Sequence, residues 1–241
     1  MAPPGRAQDR FLRVASHELR TPLTSIRGYA EELLEDGGPS LPVAQRESAA
    51  AILRNADRLG MLIEDMLLVA RLDGGHVETE PCDLELDRIV AELVDDAREG
   101  AVLGGVRVEV RAAPAPLTAD ERLVRRAVRG LLRNGLADSP RGSVLTVAVE
   151  EEAGAVRRVV RDRGGGLSEE DRRRATERFH RAETTGARAG TGLELAIARG
   201  VAAAHGGRLE LAADGDDGTA VALVLPAPAS ARPQPASRAI R

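Results

Sequence analysis

The chain has 241 residues, 43% of them hydrophobic and 30% charged, with 34 basic against 38 acidic side chains and a formal net charge of −4. That length suits one or two globular domains, and the charge balance excludes a general binder of nucleic acid or anionic membrane. Every basic residue is arginine, the aromatics are limited to Phe11, Tyr29 and Phe179, and Cys82 stands alone. Lysine chemistry, base-stacking platforms, an internal disulfide framework and a four-cysteine zinc site are excluded with them.

Residues 1–8 and 227–241, rich in Pro, Ala, Ser and Arg, read as disordered ends. The start lacks the apolar core of a signal peptide. No stretch approaches the ~20 apolar residues of a spanning helix, so the expected location is cytoplasmic. Any longer parent protein could carry an anchor of its own.

Residues 9–73 follow a helical period, with Phe11, Val14, Leu19, Leu23, Ile26, Ala30 and Leu33 before the break Gly37-Gly38-Pro39. A second run holds Ile52, Ala56, Leu59, Ile63, Met66 and Ala70, and Gly74-Gly75 stops it. Two antiparallel helices cannot shield an apolar stripe on each member, so this hairpin is expected to form a homodimer, a four-helix bundle, through residues 9–73.

After a linker at 74–79, the grammar of residues 80–226 is mixed. Helices are predicted at 85–99, 120–136, 168–177 and 193–204. Strands are predicted at 106–110, 143–151, 155–161, 208–213 and 219–225, with Gly154 turning one hairpin. The fold class is α+β: a dimerising helical hairpin followed by an α/β-sandwich with helices over one face of a mixed sheet.

Chemistry concentrates at Ser16-His17-Glu18-Leu19-Arg20-Thr21-Pro22. A histidine accepts a phosphoryl group through a neutral ring nitrogen, and an adjacent carboxylate fixes the tautomer and takes the proton. Pro22 removes a backbone donor and gives the helix a place to bend. A zinc-type His-Glu-x-x-His is absent, because Thr21 stands where the second histidine belongs. Further on, Asp162-Arg-Gly-Gly-Gly166 follows a strand and suits a base pocket, although a simple tight turn would read the same way.

The segment Phe11 to Ala30 closely resembles the phosphoacceptor box of two-component sensor histidine kinases. The resemblance implies that His17 accepts phosphate from ATP, that Glu18 assists, and that Thr21 positions water when the partner is dephosphorylated. The rest follows in family order over residues 9–226, implying an ATP-binding domain of the gyrase and histidine-kinase type. Asn134 resembles the asparagine that helps hold Mg²⁺. Asp162, Gly164 and Gly166 resemble the adenine box, and Phe179 and Arg181 the phenylalanine box. Gly190, Thr191, Gly192 and Leu193 resemble the second glycine box, whose helix N-terminus attracts phosphate. ATP and Mg²⁺ are the implied ligands, and a response-regulator receiver domain is the implied partner, with Arg20 and Arg27 as docking candidates.

Five positions depart from that pattern, among them Arg163, which stands where the first glycine box carries asparagine. Gly130 replaces a second asparagine, Ala137 a cation, and Asp138 an aromatic or histidine. Glu194 replaces the second glycine of Gly-Leu-Gly-Leu. Two like charges about 5 Å apart repel by roughly 3 kcal/mol at an effective dielectric near 20, so Glu194 is expected to weaken triphosphate binding. With no lysine, any phosphate-holding cation must be Arg133, Arg163, Arg178, Arg181 or Arg188. The rival readings are a phosphatase-dominant enzyme acting on its phosphorylated regulator, and a catalytically silent dimeric scaffold.

Overall fold

A computed structural model describes residues 4–36, 41–152, 155–180, 191–213 and 218–227. The chain divides into two compact units, Met1–Val77 and Glu78–Arg241.

The first unit is a hairpin of α1 (Pro4–Asp36) and α2 (Val43–Asp73). Helix α1 begins earlier than the hydrophobic pattern suggested. A proline in the first turn costs no hydrogen bond, so Pro4 starts a helix where composition reads as a loose end. Pro22 lies inside α1. One turn beyond it, the Thr24 and Ser25 hydroxyls donate to the Arg20 and Thr21 carbonyls at 2.9 and 3.3 Å. Such back-bonding accompanies helix bending.

Register between the helices is marked by Arg20–Glu64 at 3.7 Å, Arg27–Asp57 at 3.5 Å, and Leu23 packed against Gly60. These exposed ion pairs add little stability. Ala30, Ala49, Ala56, Leu67 and Val69 are buried, whereas Leu19, Ile26, Leu33, Ile52, Leu59 and Met66 are about half exposed.

The second unit contains β1 (Cys82–Glu85), α3 (Leu86–Gly104), β2 (Arg107–Ala112), β3 (Pro116–Ala119), α4 (Glu121–Asp138), β4 (Val144–Glu152), β5 (Ala155–Asp162), α5 (Glu169–Arg174), α6 (Glu194–Ala204), β6 (Arg208–Ala213) and β7 (Thr219–Pro226). The main sheet runs β2-β4-β5-β7-β6, parallel between β2 and β4 and antiparallel elsewhere. Strands β1 and β3 pair antiparallel as a separate ribbon that the sequence pattern did not reveal. Each has four residues, too few for a period of two to show.

Helices α3, α4 and α6 pack on one face of the sheet. Leu86, Leu93, Leu123, Leu131, Ile197 and Val201 meet Leu145, Val147, Val160, Val221, Leu223 and Leu225 in a dry layer. Each such side chain contributes about 1.5–3 kcal/mol when buried. Alternation along β5 directs Val156, Arg158, Val160 and Asp162 toward this face. Arg158 is therefore fully buried among aliphatic side chains. The other face carries a small-residue cluster of Ala148, Val159, Ala220, Ala222 and Val224.

Candidate active site

Helix α4 is the spine of the site. Asp120 caps its start, accepting from the Leu123 N–H at 3.0 Å and the Glu80 N–H at 3.1 Å. Burial works against ionisation of this carboxyl, but those N–H groups, helped by Arg122, hold it below the ordinary aspartate range. Along the helix, Gly130, Arg133, Asn134 and Asp138 fall at spacings of three and four and share one side.

At the far end of α4, Asn134 Nδ2 donates to Asp138 Oδ2 at 3.1 Å. The Asp138 carbonyl in turn abuts Gly164, where a Cβ would come within 2.8 Å of it and 3.0 Å of Asp162 Oδ1. Asp138, which replaces a ring in the family pattern, is thus the joint between the helix and the glycine turn. Asp162 is buried at the end of β5, and the Gly164 N–H donates to its Oδ1 at 2.9 Å. Strand register sets Thr219 directly opposite Asp162, also buried and on the same face. Sequence reasoning had no means of finding Thr219, because strand pairing alone brings it there.

One turn earlier on α4 the surroundings change. Glu194 is 3% exposed, and Arg133 Nη2 donates to its Oε1 at 2.6 Å. The same carboxylate oxygen accepts from the Thr191 N–H at 3.2 Å and the Thr191 hydroxyl at 3.1 Å, while Oε2 accepts from the Leu193 N–H at 3.0 Å. Burial opposes the charge. The N–H groups of Glu194 itself and of Thr191, with the Arg133 guanidinium, outweigh it and keep the carboxyl below the usual glutamate range. Among the described residues Arg133 offsets the Glu194 charge, from one helix across to the next. Gly130 lies opposite, where a Cβ would sit 3.5 Å from Glu194 Cβ.

Leu193 is fully buried and belongs to the core. The Phe179 N–H donates to the Gly192 carbonyl at 2.9 Å. Both residues have left-handed backbones, at φ +62° and +70°, and a Cβ on Gly192 would fall 2.9 Å from Phe179 Cα. Phe179 is 54% exposed. Gly166 takes φ +66°. Arg181 and Gly190, with Arg188, lie outside the described residues.

In the first unit His17 has a helical backbone within α1, and its side chain lies outside the described residues. Glu18 and Thr21 are exposed on that helix. The docking candidates Arg20 and Arg27 face Glu64 and Asp57 across the hairpin.

The profile described as the His Kinase A (phospho-acceptor) domain matches residues 7–75. That of the histidine kinase-, DNA gyrase B- and HSP90-like ATPase matches residues 119–229. The chain belongs to the sensor histidine kinases. It is 34% identical over 226 residues to the sensor-like histidine kinase SenX3 of Mycobacterium tuberculosis H37Rv, covering 92% of this chain and 54% of that one. It is 36% identical over 211 residues to the signal transduction histidine-protein kinase/phosphatase MprB of Mycolicibacterium paratuberculosis, covering 85% of this chain and 39% of MprB. The chain therefore spans about half the length of such relatives. Among solved structures, full-length ShkA in complex with AMPPNP superposes with a TM-score of 0.77 at 26% identity, covering 90% of this chain and 46% of ShkA. The architecture of helical hairpin followed by α/β ATPase-type domain is that of the family.

Two halves of the candidate nucleotide site differ in their fit. The base end suits adenine: a buried carboxylate beside a glycine whose bare backbone allows close approach. At the opposite end the Thr191 and Leu193 N–H groups, which lead into α6, are already bonded to Glu194. Asn134 offers an amide oxygen, a hard donor suited to Mg²⁺, while its nitrogen bonds Asp138. No helix among the described residues is long and apolar enough to cross a membrane.

Proposed function

We propose that this chain is the catalytic core of a histidine kinase that transfers the γ-phosphoryl group of ATP to His17, from which a receiver-domain aspartate takes it. The observation that carries the reading is Asp162, a buried carboxylate held by the Gly164 N–H at the end of β5. It can accept the exocyclic amine of adenine, which guanine does not offer at that place.

In this reading Asp162, Gly164 and Gly166 bind the base, Phe179 and Arg181 flank the nucleotide, and Gly190, Thr191, Gly192 and Leu193 frame the phosphates. Mg²⁺ held at Asn134 supplies charge neutralisation. Glu18 orients the His17 ring and takes its proton, so that the free nitrogen attacks in line with the leaving oxygen. The half-exposed apolar side chains of α1 and α2 support a homodimeric four-helix bundle over residues 9–73. The functional division is 9–73 for phosphotransfer and dimerisation, 74–79 as linker and 80–226 for nucleotide binding.

One observation favours a second reading, a phosphatase-dominant enzyme using Thr21 to position water. The buried Glu194 carboxylate stands at the phosphate end, which disfavours triphosphate turnover while leaving the hairpin untouched. Incubation with γ-labelled ATP and Mg²⁺ tests the kinase. The expected result is acid-labile, base-stable label in the unmodified chain and none in His17→Gln. An unlabelled chain that still dephosphorylates a phosphorylated receiver domain, and loses this in Thr21→Ala, is the phosphatase instead.

A further inference from the structure

We propose that Glu194 is a tethered anion occupying the phosphate end of the nucleotide site, and that a triphosphate binds only by displacing its carboxylate from Arg133 and the α6 N-terminus. This rests on the ATP-site reading above and adds a regulatory element to it.

Four donors converge on one side chain: the Arg133 guanidinium, the Thr191 N–H and hydroxyl, and the Leu193 N–H. Backbone N–H groups at a helix start together with a guanidinium form the donor set that receives a phosphate. Here a carboxylate of the same chain fills it. Its burial separates it from an ordinary first-turn acid, which points into solvent and leaves the helix donors accessible. Gly130 is the complementary half of the arrangement. A side chain there would grow toward Glu194 Cβ and Cγ, at 3.5 and 3.7 Å from its first carbon, so the glycine provides the room in which the carboxylate folds back. The two departures from the family pattern thus meet in space.

A bound nucleotide and Glu194 compete for the same donors, so the penalty falls on phosphates and spares the base. Adenosine needs only the Asp162 end and coexists with the carboxylate. ATP must expel the carboxylate into a site that already carries the negative charge of the phosphates. Arg133 changes partner in that exchange, from Glu194 to phosphate.

The test is calorimetric titration of ATP and of adenosine into the full chain and its variants. Glu194→Gly removes the anion, and Glu194→Gln keeps the side-chain volume in case glycine weakens the helix start. Both are expected to tighten ATP by about tenfold or more and to leave adenosine within about twofold. Arg133→Gln placed on Glu194→Gly is expected to return ATP affinity to that of the unmodified chain. Equal gains for ATP and adenosine overturn the tethered anion, as does unchanged ATP affinity in both Glu194 variants. A gain that survives Arg133→Gln overturns the partner exchange. Binding of neither ligand to any variant overturns the ATP-site reading itself, and is distinguishable because adenosine does not depend on Glu194.

Discussion

The backbone N–H of Asp120 donates to Nε2 of His205 at 3.0 Å, tying the start of α4 to the end of α6. The other ring nitrogen, Nδ1, lies 2.8 Å from the Val201 carbonyl. A carbonyl only accepts and an N–H only donates, so the two contacts fit the tautomer with its proton on Nδ1. His205 is a bridge between the two helices that frame the candidate site.

His205→Ala strands the Asp120 N–H in a buried setting. The expected cost is about 1–3 kcal/mol, seen as a lower urea midpoint with an unchanged slope. A midpoint equal to that of the unmodified chain would show that the bridge contributes nothing.

Asp120 and Glu194 predict the acid limit of stability. Both carboxyls lie below their ordinary values of 3.8 and 4.5 in the folded chain. The folded state therefore binds fewer protons than the unfolded one, and the stabilisation is fully present above those values. It disappears as pH falls through the lower folded values. Urea midpoints are expected to be level above about pH 5 and to fall below about pH 4, less steeply in Asp120→Asn and in Glu194→Gln.

The three glycines after Asp162 look alike in sequence and differ in space. Gly164→Ala forces a methyl against the Asp138 carbonyl, with an expected cost of about 1–3 kcal/mol and loss of adenosine binding. Gly166→Ala makes only ordinary contact, 3.8 Å from the Gly218 carbonyl oxygen, but does so at φ +66°, costing about 1–2 kcal/mol of backbone strain. Gly165→Ala meets nothing and keeps an ordinary φ, so it is expected to be neutral or to stabilise by about 0.4–1 kcal/mol. Thermal unfolding of the three variants checks the ranking.

Arg158 is the opposite kind of residue, a buried charge with no acid bonded to it among the described residues. Its Nη1 reaches only the Val128 carbonyl, at 3.5 Å, and its Nε and Nη2 have no hydrogen-bond partner among the described residues. Burial pushes the guanidinium down to about 9. Arg158→Met is expected to stabilise the chain by about 1–4 kcal/mol at pH 8. The unfolded arginine keeps its proton above pH 9 while the folded one loses it, so the unmodified chain gains stability as pH rises and the gap to the variant narrows by pH 11. Without lysine, few other side chains titrate in that window. Urea melts at the two pH values decide it; a variant less stable at both would refute the argument.

How much of this was legible in the sequence depends on the range over which the residues interact. The hairpin and the helices over the sheet repeat at three and four, and the phosphoacceptor box is contiguous, so both could be read directly. The ribbon of β1 and β3 is too short to display a period. Arg133, Gly130 and Glu194 act as a group only because α4 and α6 pack side by side, and no spacing rule links residues on separate helices. Glu194 could be identified as a departure, but its partner could not. Strand pairing likewise placed Thr219 beside Asp162, and only the turn geometry distinguished Gly164 from Gly165.

The backbone clasp between Phe179 and Gly192 acts as a socket. It holds Phe179 and Gly192 together by one short N–H to carbonyl bond and by a glycine approach too close for any side chain. Doubling the length of any flexible connection costs only about 0.6 kcal/mol. Segments of different length and charge from related kinases can therefore be grafted at 180 and 191 without re-engineering the sheet. The clasp thereby uncouples the length of the chain between those two residues from the folding of the sheet.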